Sequence, residues 1–236
     1  MSPIPALTLC EIASASAHGV ESFSPYCVKA HRALRLAGLP YTRRHGAVPS
    51  SHKALNPTGQ VPVLLVGERA MPDSTEILRW LVAQGRIEAP PEAWLWEELG
   101  DTSLSGFVVA SRWLDEENWP RARAVFFAGM PAPLRLFVPG LVRRRIRRGL
   151  IAREHWRRGP EVCWARLDAL LDALDARAPS NGTGWLGGGW TVADVGLFGH
   201  LRSLDTPLTP RQSGMVRSRS RLSAWMDSFD AATRVA

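Results

Sequence analysis

The period of the hydrophobic and polar positions changes several times along the first 85 residues. "ALTLCEIA" is a short apolar run of strand length, and the polar loop "SASAHGVES" follows it. From Pro25 the repeat lengthens, so that Cys27, Ala30, Leu34 and Ala37 fall on one helical face. Gly38 supplies a C-terminal stop and Pro40 forbids continuation. "LPYTRRH" then reads as a second strand, residues 51–55 as a helical turn and "VPVLLV" as a buried strand. A short strand around "ERAM" and the amphipathic helix "STEILRWLVAQG" complete the order β-α-β-α-β-β-α.

The paired prolines of "GRIEAPPEA" break both helix and strand, which marks a linker. Beyond it strand signals nearly vanish. "WLWEELGDTSLSGFVVASRWL", "APLRLFVPGLVRRRIRRGL", "EVCWARLDALLDAL" and "TVADVGLFGHLRSL" read as helices, and "NGTGWLGGG" as a loop. The expected organisation is an α/β domain over residues 1–85, a linker over 86–93 and an all-helical domain over 94–236.

Composition changes this picture little. The chain has 236 residues, 45% of them hydrophobic, and a mean hydropathy of −0.10, all ordinary for a globular protein. No apolar run approaches the roughly 18 residues a membrane helix needs. No basic residue precedes Lys29, which argues against a secretory signal. Cys10, Cys27 and Cys163 are widely spaced and odd in number, so they form no disulfide framework and fit a reducing cytoplasm. No metal site is expected.

The net charge of +7 is local. Residues 1–85 balance to +3, and residues 141–158 carry eight arginines against Glu154, so the remainder is acidic. Arg143, Arg144, Arg147 and Arg148 share one helical face. Pairing with acidic neighbours is the favoured expectation for this stripe, and contact with an anionic membrane surface is the alternative. No aromatic residues interleave with it as single-stranded nucleic acid would need, so a nucleic-acid partner is not expected.

Candidate chemistry begins with "FSPYCVK". Ser24 stands at a helix N-cap with Pro25 at the first helical position, where free N–H groups and the helix dipole favour negative charge. Its hydroxyl can donate to a nearby thiolate and lower the thiol's pKa, although capping alone also accounts for a serine. Cys27 lies three residues on, at the second position of a C-x-x-C pattern whose first cysteine is replaced by serine. A lone cysteine on an inward helical face is more often packing than redox chemistry.

"NPTGQVPVLL" and "PDSTEIL" carry the stronger signal. Pro62 at the head of a buried strand implies either an edge strand or a cis bond after Val61. A cis bond would leave the Val61 backbone free for an extended peptide, and a cis Val61–Pro62 bond is the expectation. Asp73 and Ser74 begin a helix, where a carboxylate and an ammonium could be held, though either residue would also serve as a plain cap.

Together, "SPYCVKAHRALRLAGLPY", "NPTGQVPVLL" and "PDSTEILRWL" resemble the N-terminal thioredoxin-like domain of the cytosolic glutathione S-transferase superfamily, in order and spacing. "GGWTVADVGLF" resembles the late capping-box helix of the same family, and Thr191 and Asp194 fit that box by themselves. The resemblance implies a glutathione S-transferase fold, an α/β thioredoxin-like domain followed by an all-α domain. It also implies glutathione as co-substrate. Ser24 would match the thiol-activating residue, Val61 and Pro62 the backbone clamp, Asp73 and Ser74 the γ-glutamyl site, and Lys53, more loosely, the glycyl carboxylate site. The implied partners are glutathione and a small apolar electrophile held near Trp113 and Trp119. A homodimer is left open.

The loop before Ser24 is longer than in most members and would overhang the sulfur. "SRWLDEENW" and "LVRRRIRRGL" look more like the bacterial relatives of metaxins and failed-axon-connections proteins. Three functions follow as alternatives: a glutathione transferase, a glutathione-binding scaffold without catalysis, and a thiol-disulfide reductase using Cys27.

Overall fold

The computed structural model describes residues 4–12, 19–47, 49–179 and 182–234. Its N-terminal part is a four-stranded mixed sheet, β1 (Leu7–Ile12), β2 (Thr42–Gly46), β3 (Val63–Val66) and β4 (Arg69–Pro72), ordered β2-β1-β3-β4. β1 and β2 run parallel, while β3 is antiparallel to both β1 and β4. Helices α1 (Pro25–Leu36) and α2 (Ser74–Ala83) pack on it. Leu7, Leu9, Leu64 and Met71 share one core with Ala30, Ala33 and Leu34 of α1 and Ile77, Leu78 and Leu81 of α2. The expected helical turn between β2 and β3 is a 3₁₀ turn, Pro49–His52.

The rest is helical. α3 (Pro91–Glu98) runs through a π-helical stretch, Leu99–Leu104, into α4 (Ser105–Trp113). α5 (Trp119–Phe126), α6 (Ala132–Ala152), α7 (Pro160–Arg177), α8 (Val192–Leu204), α9 (Pro210–Arg217) and α10 (Ser220–Ala232) follow. α5, α9 and α10 were not among the helices expected. The pattern for α10 was present all the same, since Leu222, Trp225, Met226 and Phe229 are all buried at helical spacing.

α8 is the central post of the helical part. Its two interior glycines, Gly196 and Gly199, are positions of close approach. A Cβ on Gly196 would stand 2.6 Å from the Glu97 Cα of α3, and one on Gly199 2.9 Å from the Lys29 Cβ of α1. The α8 N-terminus carries the expected capping box, in which Asp194 accepts from the Thr191 amide at 2.8 Å. The same buried carboxylate accepts from the Trp185 amide at 2.7 Å and the Trp225 indole at 3.0 Å. One side chain thus joins the glycine-rich loop, α8 and α10.

The arginine stripe departs from expectation. Arg143 pairs with Glu116 at 2.7 Å, but Arg144, Arg147 and Arg148 make no ion pair among the described residues. α6 itself contains no acidic residue, and it lies far enough out from the bundle that only Pro139 and Leu150 are buried. Arg144 and Arg147 share a groove with Glu116, Glu117 and Glu161 without closing an ion pair, and Arg148 lies on the outer side of the helix.

Removing the Asp194 carboxylate would strand several buried N–H donors at once, each costing about 1–3 kcal/mol. Asp194→Ala is expected to lower the unfolding free energy by about 3–5 kcal/mol, measured by denaturant titration.

Candidate functional site

Strand directions assemble the site before any side chain is considered. β4 runs parallel to β1, so both end at one edge of the sheet, and the N-termini of α1 and α2 lie there together. β3 starts at that edge, which brings in Val61 and Pro62. The segment from β2 to β3, carrying Lys53, crosses the same edge. All seven candidate residues therefore belong to this edge.

Ser24 is the N-cap of α1, with extended backbone (φ −103°, ψ 125°), and its Oγ accepts from the Cys27 amide at 3.4 Å. Cys27 is completely buried. Burial, with the nearby Glu11 carboxylate adding to it, pushes its thiol up to about 12, against hydrogen bonds from Ser24 and Ser22 that pull the other way. Burial and the raised pKa together weigh against Cys27 as the nucleophile of a reductase. A thiol that neither ionises near neutral pH nor reaches solvent is not a nucleophile.

Glu11 is the electrostatic centre beneath this corner. It is fully buried, accepts from Ser22 Oγ at 2.6 Å and Arg43 Nε at 2.6 Å, and lies 3.2 Å from His31 Nε2. Burial alone would raise its pKa, but the hydrogen bonds from His31, Arg43 and Ser22 outweigh it and hold the carboxyl at about 2. Its backbone carbonyl accepts from His52 Nε2 at 3.0 Å, tying the β2–β3 segment to β1. Glu11 was missed in the sequence because a carboxylate inside an apolar strand gives no periodic signal.

The Val61–Pro62 bond is cis, and β3 is an inner strand, which decides between the two alternatives left by the sequence. The Pro62 carbonyl accepts from the Asp73 amide at 3.3 Å, while neither backbone group of Val61 has a partner among the described residues. Asp73 caps α2, its Oδ1 accepting from Thr75 N at 2.7 Å and Glu76 N at 3.3 Å. Its backbone holds φ at +80°, a conformation that costs an L-residue about 1–3 kcal/mol. Ser74 is buried, and Lys53 is exposed and unpaired among the described residues. The edge thus presents an unpaired Val61 backbone, a carboxylate oxygen of Asp73 beyond its cap contacts and an exposed lysine.

Arg112 of α4 escaped the sequence analysis. It is buried, donates to the Phe23 carbonyl at 2.6 Å and the Ser203 carbonyl at 2.7 Å, and forms no ion pair among the described residues. Burial lowers its pKa to about 10, so it stays a cation one residue from Ser24. Val20 and Phe23 of the preceding loop pack with Val125, Phe126 and Leu208, the Phe23 and Phe126 rings meeting edge-on at 5.2 Å. Trp113 stacks on Phe126 at 5.2 Å and so backs this wall. Trp119 lies behind Trp113, under the Arg143 guanidinium. A groove of about 1040 Å³ lies elsewhere, between α6 and α7, and none of the candidate residues lines it. No group of three or more His, Cys, Asp or Glu among the described residues could hold a metal ion.

Residues 23–84 match the family described as glutathione S-transferase, N-terminal domain, and residues 139–228 that described as glutathione S-transferase, C-terminal domain. The chain belongs to the glutathione S-transferase superfamily. No curated protein sequence matches it significantly. Among solved structures, it is similar in fold to a glutathione transferase family member from Pseudomonas fluorescens with two glutathione bound (TM-score 0.60, 16% identity, 96% of this chain and 88% of that one). A glutathione S-transferase of Ceriporiopsis subvermispora in complex with glutathione is comparable (TM-score 0.61, 18% identity, 98% and 99% covered). So is the β-etherase LigF from Sphingobium (TM-score 0.61, 18% identity, 96% and 95% covered).

The Glu11 cluster sets an acid limit. Its folded pKa lies below the ordinary carboxylate value of about 4.5, so its stabilisation is full above about 4.5 and is lost as pH falls toward about 2. Unfolding free energy measured against pH should fall across that window, and Glu11→Gln should flatten the fall while lowering stability at neutral pH.

Proposed function

We propose that the chain binds glutathione along this sheet edge and transfers its sulfur to an apolar electrophile. The observation that carries the proposal is the environment of Ser24. Its hydroxyl accepts from the Cys27 amide and can turn its proton from the buried Cys27 thiol to an incoming sulfur, at a helix N-terminus and beside the unpaired buried cation Arg112. Each of these favours a thiolate over a thiol. The γ-glutamyl end would lie at Asp73 and Ser74, the cysteinyl backbone along Val61 and Pro62, and the glycyl end toward Lys53.

In the reaction, the glutathione thiol releases its proton to solvent and the thiolate attacks an electron-poor carbon. A C–S bond forms, and a leaving group departs with its electron pair. The acceptor would rest on the apolar wall of Val20, Phe23, Val125 and Phe126, with Trp113 behind it. The glutathione complexes of the Pseudomonas and Ceriporiopsis proteins support binding by a chain of this fold. We place the boundary between the two domains in the segment 86–93.

Binding without turnover is a second reading. It is favoured by the groove of about 1040 Å³ lying away from Ser24. Glutathione affinity measured beside turnover of generic electrophiles separates the two, since binding with no turnover removes the transferase reading.

Two substitutions test the assigned roles. Ser24→Ala is expected to lower turnover by roughly ten- to a hundredfold, for loss of one hydrogen bond to a charged sulfur. Cys27→Ser should change stability and leave turnover nearly intact, and a dead Cys27→Ser enzyme would overturn this assignment. Asp73→Asn keeps a good cap but loses the charge. It should weaken glutathione binding by about tenfold with little change in melting temperature.

A further inference from the structure

We infer that α6 is a docking surface for an anionic lipid bilayer. The helix presents its outer face to solvent over its whole length, and that face is divided lengthwise by chemistry. Its first half exposes Leu134, Leu136, Phe137 and Leu141, with 70% and 71% of Leu136 and Phe137 uncovered. Its second half carries Arg145 and Arg148 on this face, while Arg144 and Arg147, also exposed, turn toward the groove against α7. At 100° per residue Leu134, Phe137, Leu141, Arg145 and Arg148 follow one line along the cylinder, opposite the buried Pro139 and Leu150.

Among the described residues, no other element covers the apolar half, and Arg144, Arg145, Arg147 and Arg148 make no ion pair. Arg143 is taken by Glu116, and Arg157, beyond the helix, by Glu154. Arg145 and Arg148 hold their charge on the outer line without an ion pair among the described residues, while Arg144 and Arg147 line the groove beside it with Glu116, Glu117 and Glu161. Pro139 is accommodated without loss, since the Arg135 carbonyl that it leaves free accepts from Arg123 Nη2 at 3.1 Å.

Charge chooses the occupant. A second copy meeting the whole of this face would set arginine against arginine in parallel, or the apolar half against arginines when antiparallel. A polyanion such as RNA would satisfy the arginines but leave Phe137 and its neighbours in water. A bilayer with anionic headgroups satisfies both halves. The apolar turns enter the headgroup–acyl boundary and the guanidinium groups take the phosphates, with the helix tilted N-terminal end down. No helix among the described residues is long and apolar enough to cross a membrane, so this contact is superficial.

The test is cosedimentation of the full chain with phosphatidylcholine vesicles, with and without phosphatidylserine, at about 0.1 M and about 0.5 M salt. Binding is expected only to the anionic vesicles and should weaken at high salt. Changing Arg144, Arg145, Arg147 and Arg148 together to Gln should lower the partition coefficient on the order of a hundredfold or more. Phe137→Ser should lower it about tenfold while leaving the salt dependence in place. Cys10, Cys27 and Cys163 are all buried, so a fluorophore on Phe137→Cys would report insertion selectively, by a blue shift on adding anionic vesicles.

All these positions are exposed, and unchanged melting curves would show that the variants fold. Absence of binding, equal binding to neutral vesicles, or no effect of Phe137→Ser would overturn the inference. So would a dimer in sedimentation equilibrium that Phe137→Ser dissociates, which would assign the face to a second copy.

Discussion

The arrangement of the two parts of this protein depends on one buried cation. Lys29 of α1 is fully buried, with its ammonium shared by Glu97, Asp101 at 2.8 Å and Thr75 at 3.2 Å. The carboxylates come from α3 and the π-helical stretch, and the hydroxyl from α2. A charge taken out of water is tolerated only while its partners stay in place, because losing one leaves the others uncompensated. Sliding α3 against α1 would separate these ions, so the lysine fixes the register between the sheet-bearing part and the helical part. Gly199 and Gly196 allow it, since α8 must come close enough to bury the lysine and its carboxylates together.

That constraint reaches the candidate site. Ser24 stands one turn before Lys29 on the same helix, and Ser74 directly precedes Thr75. Arg112 adds a second tie across the interface by holding the Phe23 carbonyl. The cap of α1 is thus positioned from both parts, although each residue of the candidate edge lies in the first 85. Desolvation then separates two neighbouring groups that look similar in sequence. Ser24 keeps contact with the surface, while Cys27, one turn inward beside a permanent carboxylate, is held as a neutral thiol.

Much of this was legible beforehand. The strands, α1 and α2 follow from period and from Pro and Gly placement, and the cap at Asp73 and the capping box at Thr191 and Asp194 from short-range rules. Glu11, Lys29, Arg112 and Glu97 were not. They are charged residues inside apolar elements, and their partners lie as far as 91 residues away in the case of Arg112 and Ser203. Local pattern treats such a residue as noise, since only the fold supplies the counter-charge. The arginines of α6 show the opposite error. Acidic residues elsewhere in the chain suggested compensation, but distance and not composition decides whether charges pair.

Asp73 carries one more implication. Its backbone adopts a conformation that glycine would accept without steric cost, yet the chain has an aspartate there. Conformational ease and side-chain chemistry are opposed at this residue. Glycine would relax the turn but leave the amides of Thr75 and Glu76 without the carboxylate that caps them, so the strain of the turn and the cap of α2 are two sides of one residue at a solvent-facing helix end.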